Sequence, residues 1–115
     1  MKQQAGGNSI SEQVTAEEIQ SLARELQMLR NQIQTISSQV SEYGITVEEL
    51  SKQDPNKPIY RSLGNILLEV EDRDSLESEL KAAQDALNEH LGTLVEREES
   101  IRKKYEEMAE SFERA

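Results

Sequence analysis

The sequence predicts a mostly α-helical fold, an antiparallel two-helix coiled coil with one central β-hairpin. Three observations predict it. Apolar residues recur at heptad spacing over two long stretches; about 25 residues between them hold both prolines of the chain; and that interval alternates apolar and polar residues on either side of a Gly-Asn pair. The expected boundaries are a single domain over residues 1–115, with a flexible N-terminus at 1–15, helix at 16–50, loop and hairpin at 51–74, and helix at 75–113.

The first arm is read by counting. Ile19, Leu22, Leu26, Leu29, Ile33, Ile36, Val40, Tyr43, Val47 and Leu50 are separated by steps of 3 and 4 in strict alternation. That is the a/d seam of a left-handed coiled coil. Thr15 followed by Glu18 forms a capping box, so the helix should start at Ala16. Gly44 lies off the seam and costs on the order of 1 kcal/mol in helix propensity, which marks it as a place for fraying or a kink.

The second arm should begin after Asp74, with Asp74 as cap and Glu77 closing the first turn. Its seam runs Leu76, Leu80, Ala83, Leu87, then Leu94, Ile101 and Met108 at steps of seven. The positions between these hold polar His90, Arg97, Lys104 and Ser111, while Leu91, Tyr105 and Phe112 bring apolar surface one residue later. The stripe therefore drifts, as when the period relaxes from 3.5 toward 3.6. Folding the arms back with Val47 beside Leu80 places Val40 by Leu87, Ile33 by Leu94, Leu26 by Ile101 and Ile19 by Met108. At about 1.5 Å per residue, arms of roughly 35 residues give a pair some 50 Å long with both chain ends at its tip.

Between the arms, Asp54, Pro55, Asn56 and Pro58 read as loop. Ile59, Tyr60 and Leu63 then lead to Gly64-Asn65, a two-residue hairpin signal, and Ile66, Leu68 and Val70 alternate with Leu67, Glu69 and Glu71. A lone two-stranded hairpin is marginal in water and its edges are unpaired. It should complete itself against hairpins of other chains, closing a sheet or barrel body in an oligomer; the rival placement folds it onto the root of its own coiled coil.

Composition narrows the function. With 35% hydrophobic residues, one Phe, three Tyr and no Trp, the chain has little material for a globular core, whereas 31% charged residues suit an extended helical one. No Cys and a single His leave no disulfide framework and no metal site, so no cofactor is expected. A formal charge of −10 argues against nucleic acid, and Arg102, Lys103 and Lys104 sit among Glu98, Glu99, Glu106 and Glu107 as a solvated helix face. No apolar run is long enough to span a membrane, and Met1 to Ser9 is a polar tail rather than a leader, so a cytoplasmic location is expected. Adjacent acids such as Glu98 and Glu99 diverge on a helix, and no phosphate loop or nucleophile motif appears, which reads as a protein that is not an enzyme. His90, in or beside the seam opposite Ile36, reads as a tolerated polar position rather than a switch.

The run "PIYRSLGNILLEVEDRDSLESEL" resembles the signature of β-class prefoldin subunits: an apolar residue and Tyr, a basic residue, then an apolar-Gly-x-apolar-Leu segment. Here these are Ile59, Tyr60, Arg61, Leu63, Gly64, Ile66 and Leu67. The Gln-containing first helix, "LARELQMLRNQIQ", is similar as well. Pro58 directly before the Ile-Tyr pair, and His90 and Gly92 in the second helix, depart from the pattern. The two hairpins of α-class subunits have no room in this chain. The resemblance implies a hexamer with α-class and other β-class subunits, built on a double β-barrel of hairpins. It further implies that unfolded polypeptide is held at the coiled-coil tips, without nucleotide hydrolysis, and passed to a group II chaperonin.

On that reading the hairpin residues Ile59, Tyr60, Leu63, Gly64, Ile66, Leu68 and Val70 serve assembly. The apolar residues nearest the chain ends, Ile10, Val14, Ile19, Leu22, Ile101, Tyr105, Met108 and Phe112, serve client binding. A soft Met among weak, varied contacts suits promiscuous recognition, and several tips acting together raise avidity. The rival is a structural coiled-coil scaffold or spacer, which explains the heptads but leaves the apolar hairpin without a purpose.

Overall fold

The computed structural model describes residues 15–114. They form α1 (Ala16–Lys52), β1 (Tyr60–Leu63), β2 (Ile66–Glu69) and α2 (Arg73–Arg114), in that order. The expected flexible N-terminus lies outside the described residues except for Thr15. The chain divides into two compact units, one holding residues up to Gln34 and from Gly92 on, the other Thr35–Leu91.

In the first unit the two helices run antiparallel, with Arg30 bonded to Glu98 at 3.0 Å and Glu25 to Arg97 at 3.1 Å. The only buried side chains among the described residues are here: Leu22, Leu26, Leu29 and Leu94. Each contributes about 1.5–3 kcal/mol by leaving water, which makes this the best-packed stretch. The entry to α1 is capped as expected, since the Glu18 amide donates to Thr15 Oγ1 at 3.1 Å.

In the second unit the seam residues Val40, Tyr43, Val47, Leu76, Leu80, Ala83 and Leu87 are half-buried. The helix α1 runs two residues past the expected Leu50 because its terminal carbonyls find donors locally. Ser51 Oγ donates to Glu48 O at 2.7 Å, Gln53 Nε2 to Glu49 O at 3.3 Å, and Lys52 adds a cation at the negative end of the helix dipole. Asp54 then organises the loop: its carboxylate accepts from the Asn56 amide at 2.9 Å and its carbonyl from the Lys57 amide at 3.1 Å, a turn with Pro55 at the position that suits its fixed φ.

The strands pair antiparallel with Tyr60 opposite Glu69, Arg61 opposite Leu68, Ser62 opposite Leu67 and Leu63 opposite Ile66. The ladder continues one step further, Val70 N donating to Ile59 O at 2.7 Å. Gly64 has φ +62°, whereas no other residue type has positive φ among the described residues. Gly64 first and Asn65 second is thus the II′ hairpin pattern, which needs positive φ only at its first central residue.

Two expectations for α2 are corrected. Its cap is Asp72, not Asp74: the Ser75 amide donates to Asp72 Oδ1 at 3.0 Å, and the helix starts at Arg73. The ladder ends at Val70 and Arg73 donates to the Lys57 carbonyl, so the chain turns into helix two residues early. Asp74 falls in the first turn, where its charge still favours the dipole. The second correction concerns the drifting stripe. Leu91, Glu98 and Tyr105 are half-buried, whereas His90, Arg97 and Lys104 are exposed. The covered positions Leu76, Leu80, Ala83, Leu87, Leu91, Leu94, Glu98, Ile101, Tyr105 and Met108 step by 4, 3, 4, 4, 3, 4, 3, 4, 3. The seam therefore does not drift. It takes one extra four-residue step at Leu87–Leu91, a stutter that locally unwinds a coiled coil, and regular heptads resume in a new phase.

Candidate functional site

Two surfaces draw together the residues that the sequence singles out. The first is the hairpin. Its alternation puts Ile59, Arg61, Leu63, Ile66, Leu68 and Val70 on one face and Tyr60, Ser62, Leu67 and Glu69 on the other. Arg61 bonds Glu79 of α2 at 3.1 Å, and Ile59 and Val70 are half-buried. The root of the hairpin thus rests on its own helix, with Ile59 and Val70 partly covered there. The outer part stays open: Leu63 and Ile66 are each 60% exposed, Leu67 69% and Leu68 44%. Leu67 is the residue that sequence reasoning left out of the hairpin's contact set. Its place in the alternation, opposite Ser62 on the second face, was the available signal.

Beside the hairpin lies a groove of about 610 Å³ lined by Ile45, Leu50, Pro58, Tyr60, Leu76 and Leu80 among others. Ile45 is off the seam and 62% exposed. The groove extends the apolar surface of the hairpin onto the helices.

The second surface is in the other unit. Ile19, Tyr105 and Phe112 are brought together with Ala16, Gln20 and Ala109 around a groove of about 290 Å³. Phe112 is 45% exposed, and Ile19, Tyr105 and Ala109 are half-buried. Met108 and Ile101 are half-buried, while Leu22 is buried in the helix pair. Ile10 and Val14 lie outside the described residues.

The charge pattern is that of a solvated surface. Ten ion-pair contacts are seen among the described residues, seven of them at i,i+3 or i,i+4 spacing with both partners on one helix. Glu77 accepts a hydrogen bond from Lys81 at 2.9 Å and holds its ammonium above the ordinary lysine range, first through that bond and then through charge. No group of His, Cys, Asp and Glu fit to hold a metal is found among the described residues, and none of their helices is long and apolar enough to cross a membrane.

Comparison with known proteins places this arrangement. The chain is 40% identical over 63 residues to prefoldin subunit beta of Thermoplasma acidophilum, a match covering 55% of this chain and 51% of that protein. It is 36% identical over 63 residues to prefoldin subunit beta of Thermoplasma volcanium, again over 55% and 51%. The chain thus spans about half the length of the curated relatives it matches. Its fold is similar to the crystal structure of the prefoldin beta subunit from Thermococcus strain KS-1, with TM-score 0.72 at 18% identity over 85% of this chain and 90% of that one. The beta2 subunit from the same strain is similar at TM-score 0.69 and 20% identity, over 80% and 97%. A family profile described as prefoldin subunit matches residues 13–114. With nearly the whole helix–hairpin–helix chain inside that match, the chain belongs to the prefoldin subunit family.

Proposed function

We infer that the chain is a molecular chaperone subunit that assembles through its hairpin and holds non-native polypeptide at the ends of its helix pair, independently of ATP and without catalysis. The observation that carries this reading is the exposed apolar outer hairpin, Leu63, Ile66, Leu67 and Leu68, in a chain whose only buried side chains among the described residues are four leucines of the helix pair. Unpaired strand edges and apolar side chains on both faces call for pairing with further strands. α-Class prefoldin subunits and other β-class subunits, in a hexamer, supply them.

The client surface on this reading is the groove of Ile19, Tyr105 and Phe112, with Met108 and Ile101 beside it. Leu22 and Leu26 hold the helices under it. A group II chaperonin in the cytoplasm receives the client. Each groove is small, so affinity comes from several acting at once.

The test is solution mass by light scattering after gel filtration, for the chain mixed with an α-class subunit. A hexamer that collapses to smaller species in Leu68→Asp, with helicity by circular dichroism unchanged, supports the reading. A wild-type chain that stays monomeric or dimeric in the mixture sinks it and leaves a coiled-coil scaffold.

A further inference from the structure

The groove of Ile19, Tyr105 and Phe112 is apolar, but its surroundings carry charge of one sign. In residues 16–20 and 105–114, the turns that form it, six carboxylates, Glu17, Glu18, Glu106, Glu107, Glu110 and Glu113, face one base, Arg114. Six against one is a formal charge of −5, half of the chain's −10 on 15 of its 115 residues. Glu113 lines the groove itself. Little of this charge is neutralised nearby. Arg114 is taken by Glu110 at 3.0 Å, and Arg102 reaches Glu106 at 3.6 Å. Of the bases just beyond, Arg102 and Lys103 are engaged by Glu98, Glu106 and Glu99, which leaves Lys104. Glu17, Glu18, Glu107 and Glu113 have no ion-pair partner among the described residues. The dipole of α1 offsets part of Glu17 and Glu18 at its positive end, while the negative end of α2 adds to Glu113.

We propose that this groove selects client segments whose apolar side chains are flanked by Lys or Arg. The proposal rests on the client-binding reading given above and narrows it to one chemistry.

Size, charge and lining support that occupant. About 290 Å³ is at the low end for a ligand pocket and admits one or two apolar side chains. Apolar burial alone then discriminates little, because nearly every unfolded chain offers that much. The neighbours of a seated side chain lie over the rim of the groove. One helical turn rises about 5.4 Å, so carboxylates next to Ala16, Tyr105, Ala109 and Phe112 act within the Debye length of about 8 Å at physiological ionic strength. A base is attracted there and an acid repelled, which sets the choice of client and speeds encounter. The lining adds to this. Phe112 is 45% exposed and Tyr105 half-buried, and aromatic rings attract ammonium and guanidinium groups. Long basic side chains also lay their methylene stems on apolar surface while the charge stays in water. A basic flank thus meets both the rim and the rings, and an acidic flank meets neither.

The test is an NMR titration of the full chain with short peptides that share a Leu-Phe core flanked by Lys, Ser or Glu, followed at Ala16, Ala109 and Phe112. The Lys-flanked peptide should bind several-fold more tightly than the Ser-flanked one, and the Glu-flanked peptide more weakly than either. The preference for Lys over Glu should shrink as salt rises from about 0.05 M to about 0.5 M. Glu17→Gln combined with Glu113→Gln should lower it several-fold, with affinity for the Ser-flanked peptide and helicity by circular dichroism unchanged. Equal affinities for the three peptides would leave the client reading standing and overturn the proposal. A Lys-flanked peptide with Ser-Ser as its core that binds as tightly would overturn it as well, since charge alone is then the ligand. If no peptide moves these signals, the proposal and the client reading fall together.

Discussion

Gly44 and Gly92 both sit in helix interiors, yet they answer to different causes. Gln84 Nε2 donates to the Val40 carbonyl at 3.3 Å, and a Cβ on Gly44 would stand 3.0 Å from that nitrogen. Nothing lies within 4 Å of a Cβ on Gly92. Gly92→Ala should therefore stabilise the fold by about 0.5–1 kcal/mol, read as a higher denaturant midpoint at unchanged m-value. Gly44→Ala should gain less, because the same propensity term is offset by displacement of Gln84, whose bond is worth about 0.5–1.5 kcal/mol. Equal gains would show that Gln84 moves aside freely. Sequence alone marked Gly44 as a place for fraying or a kink; the helix runs through it to Lys52, and Gln84, 40 residues on in the chain, lies against it. Lys81 keeps its proton to higher pH than an ordinary lysine. Its ammonium is stabilised in the folded state by Glu77, so that contribution is complete below the ordinary lysine range and fades as pH rises through the raised value. Helix melting followed by circular dichroism should lose more between neutral and strongly alkaline pH in the wild type than in Lys81→Met.

At the scale of elements, the seam of α2 is decided by Glu98 as much as by leucine. Its side chain is 17% exposed, between Leu94 and Ile101, and it accepts from Arg30 at 3.0 Å. A partly buried pair of this kind costs desolvation that a hydrophobic replacement avoids. Glu98→Leu should raise stability by about 1–2 kcal/mol, measured as thermal midpoint. Arg30→Ala, which leaves the carboxylate without its cross-helix partner, should lower it by roughly 1 kcal/mol. A loss of stability in Glu98→Leu would mean that the ion pair is what holds the register. The hairpin was legible in Gly64-Asn65 and in the alternation that follows, because a turn and a period of two are local properties. The stutter at Leu87–Leu91 was not: Leu91, Tyr105 and Phe112 hinted at it, but Glu98 looks like surface until Arg30 is opposite it.

For the whole molecule, the two proposed activities separate by location. Removing residues 101–115 together with 1–14 should abolish suppression of aggregation while the assembly keeps its subunit number by light scattering. Leu68→Asp should do the reverse to assembly and leave helicity intact. Full suppression by the doubly truncated form would move client binding away from Ile19, Tyr105 and Phe112. The two faces of the hairpin also make separate demands. Leu67→Asp on one face and Leu68→Asp on the other should both weaken assembly, and a silent Leu67→Asp would show that only the face shared by Leu63, Ile66 and Leu68 is covered in the oligomer.

Sequence by itself determined the two long helices, the hairpin between them and the strict seam of α1, because heptad spacing, two prolines and a Gly-Asn turn act within a few residues of where they are written. It also carried the family resemblance, in the segment Ile59 to Leu67. Tertiary structure alone decided which residues of α2 meet α1, since a half-buried Glu98 and an exposed His90 depend on partners distant in the chain. It likewise decided that the hairpin rests its root on α2 through Arg61 and Glu79 while leaving Leu63, Ile66 and Leu67 open. Hydrophobic periodicity states which side chains seek cover; only packing states which of them find it.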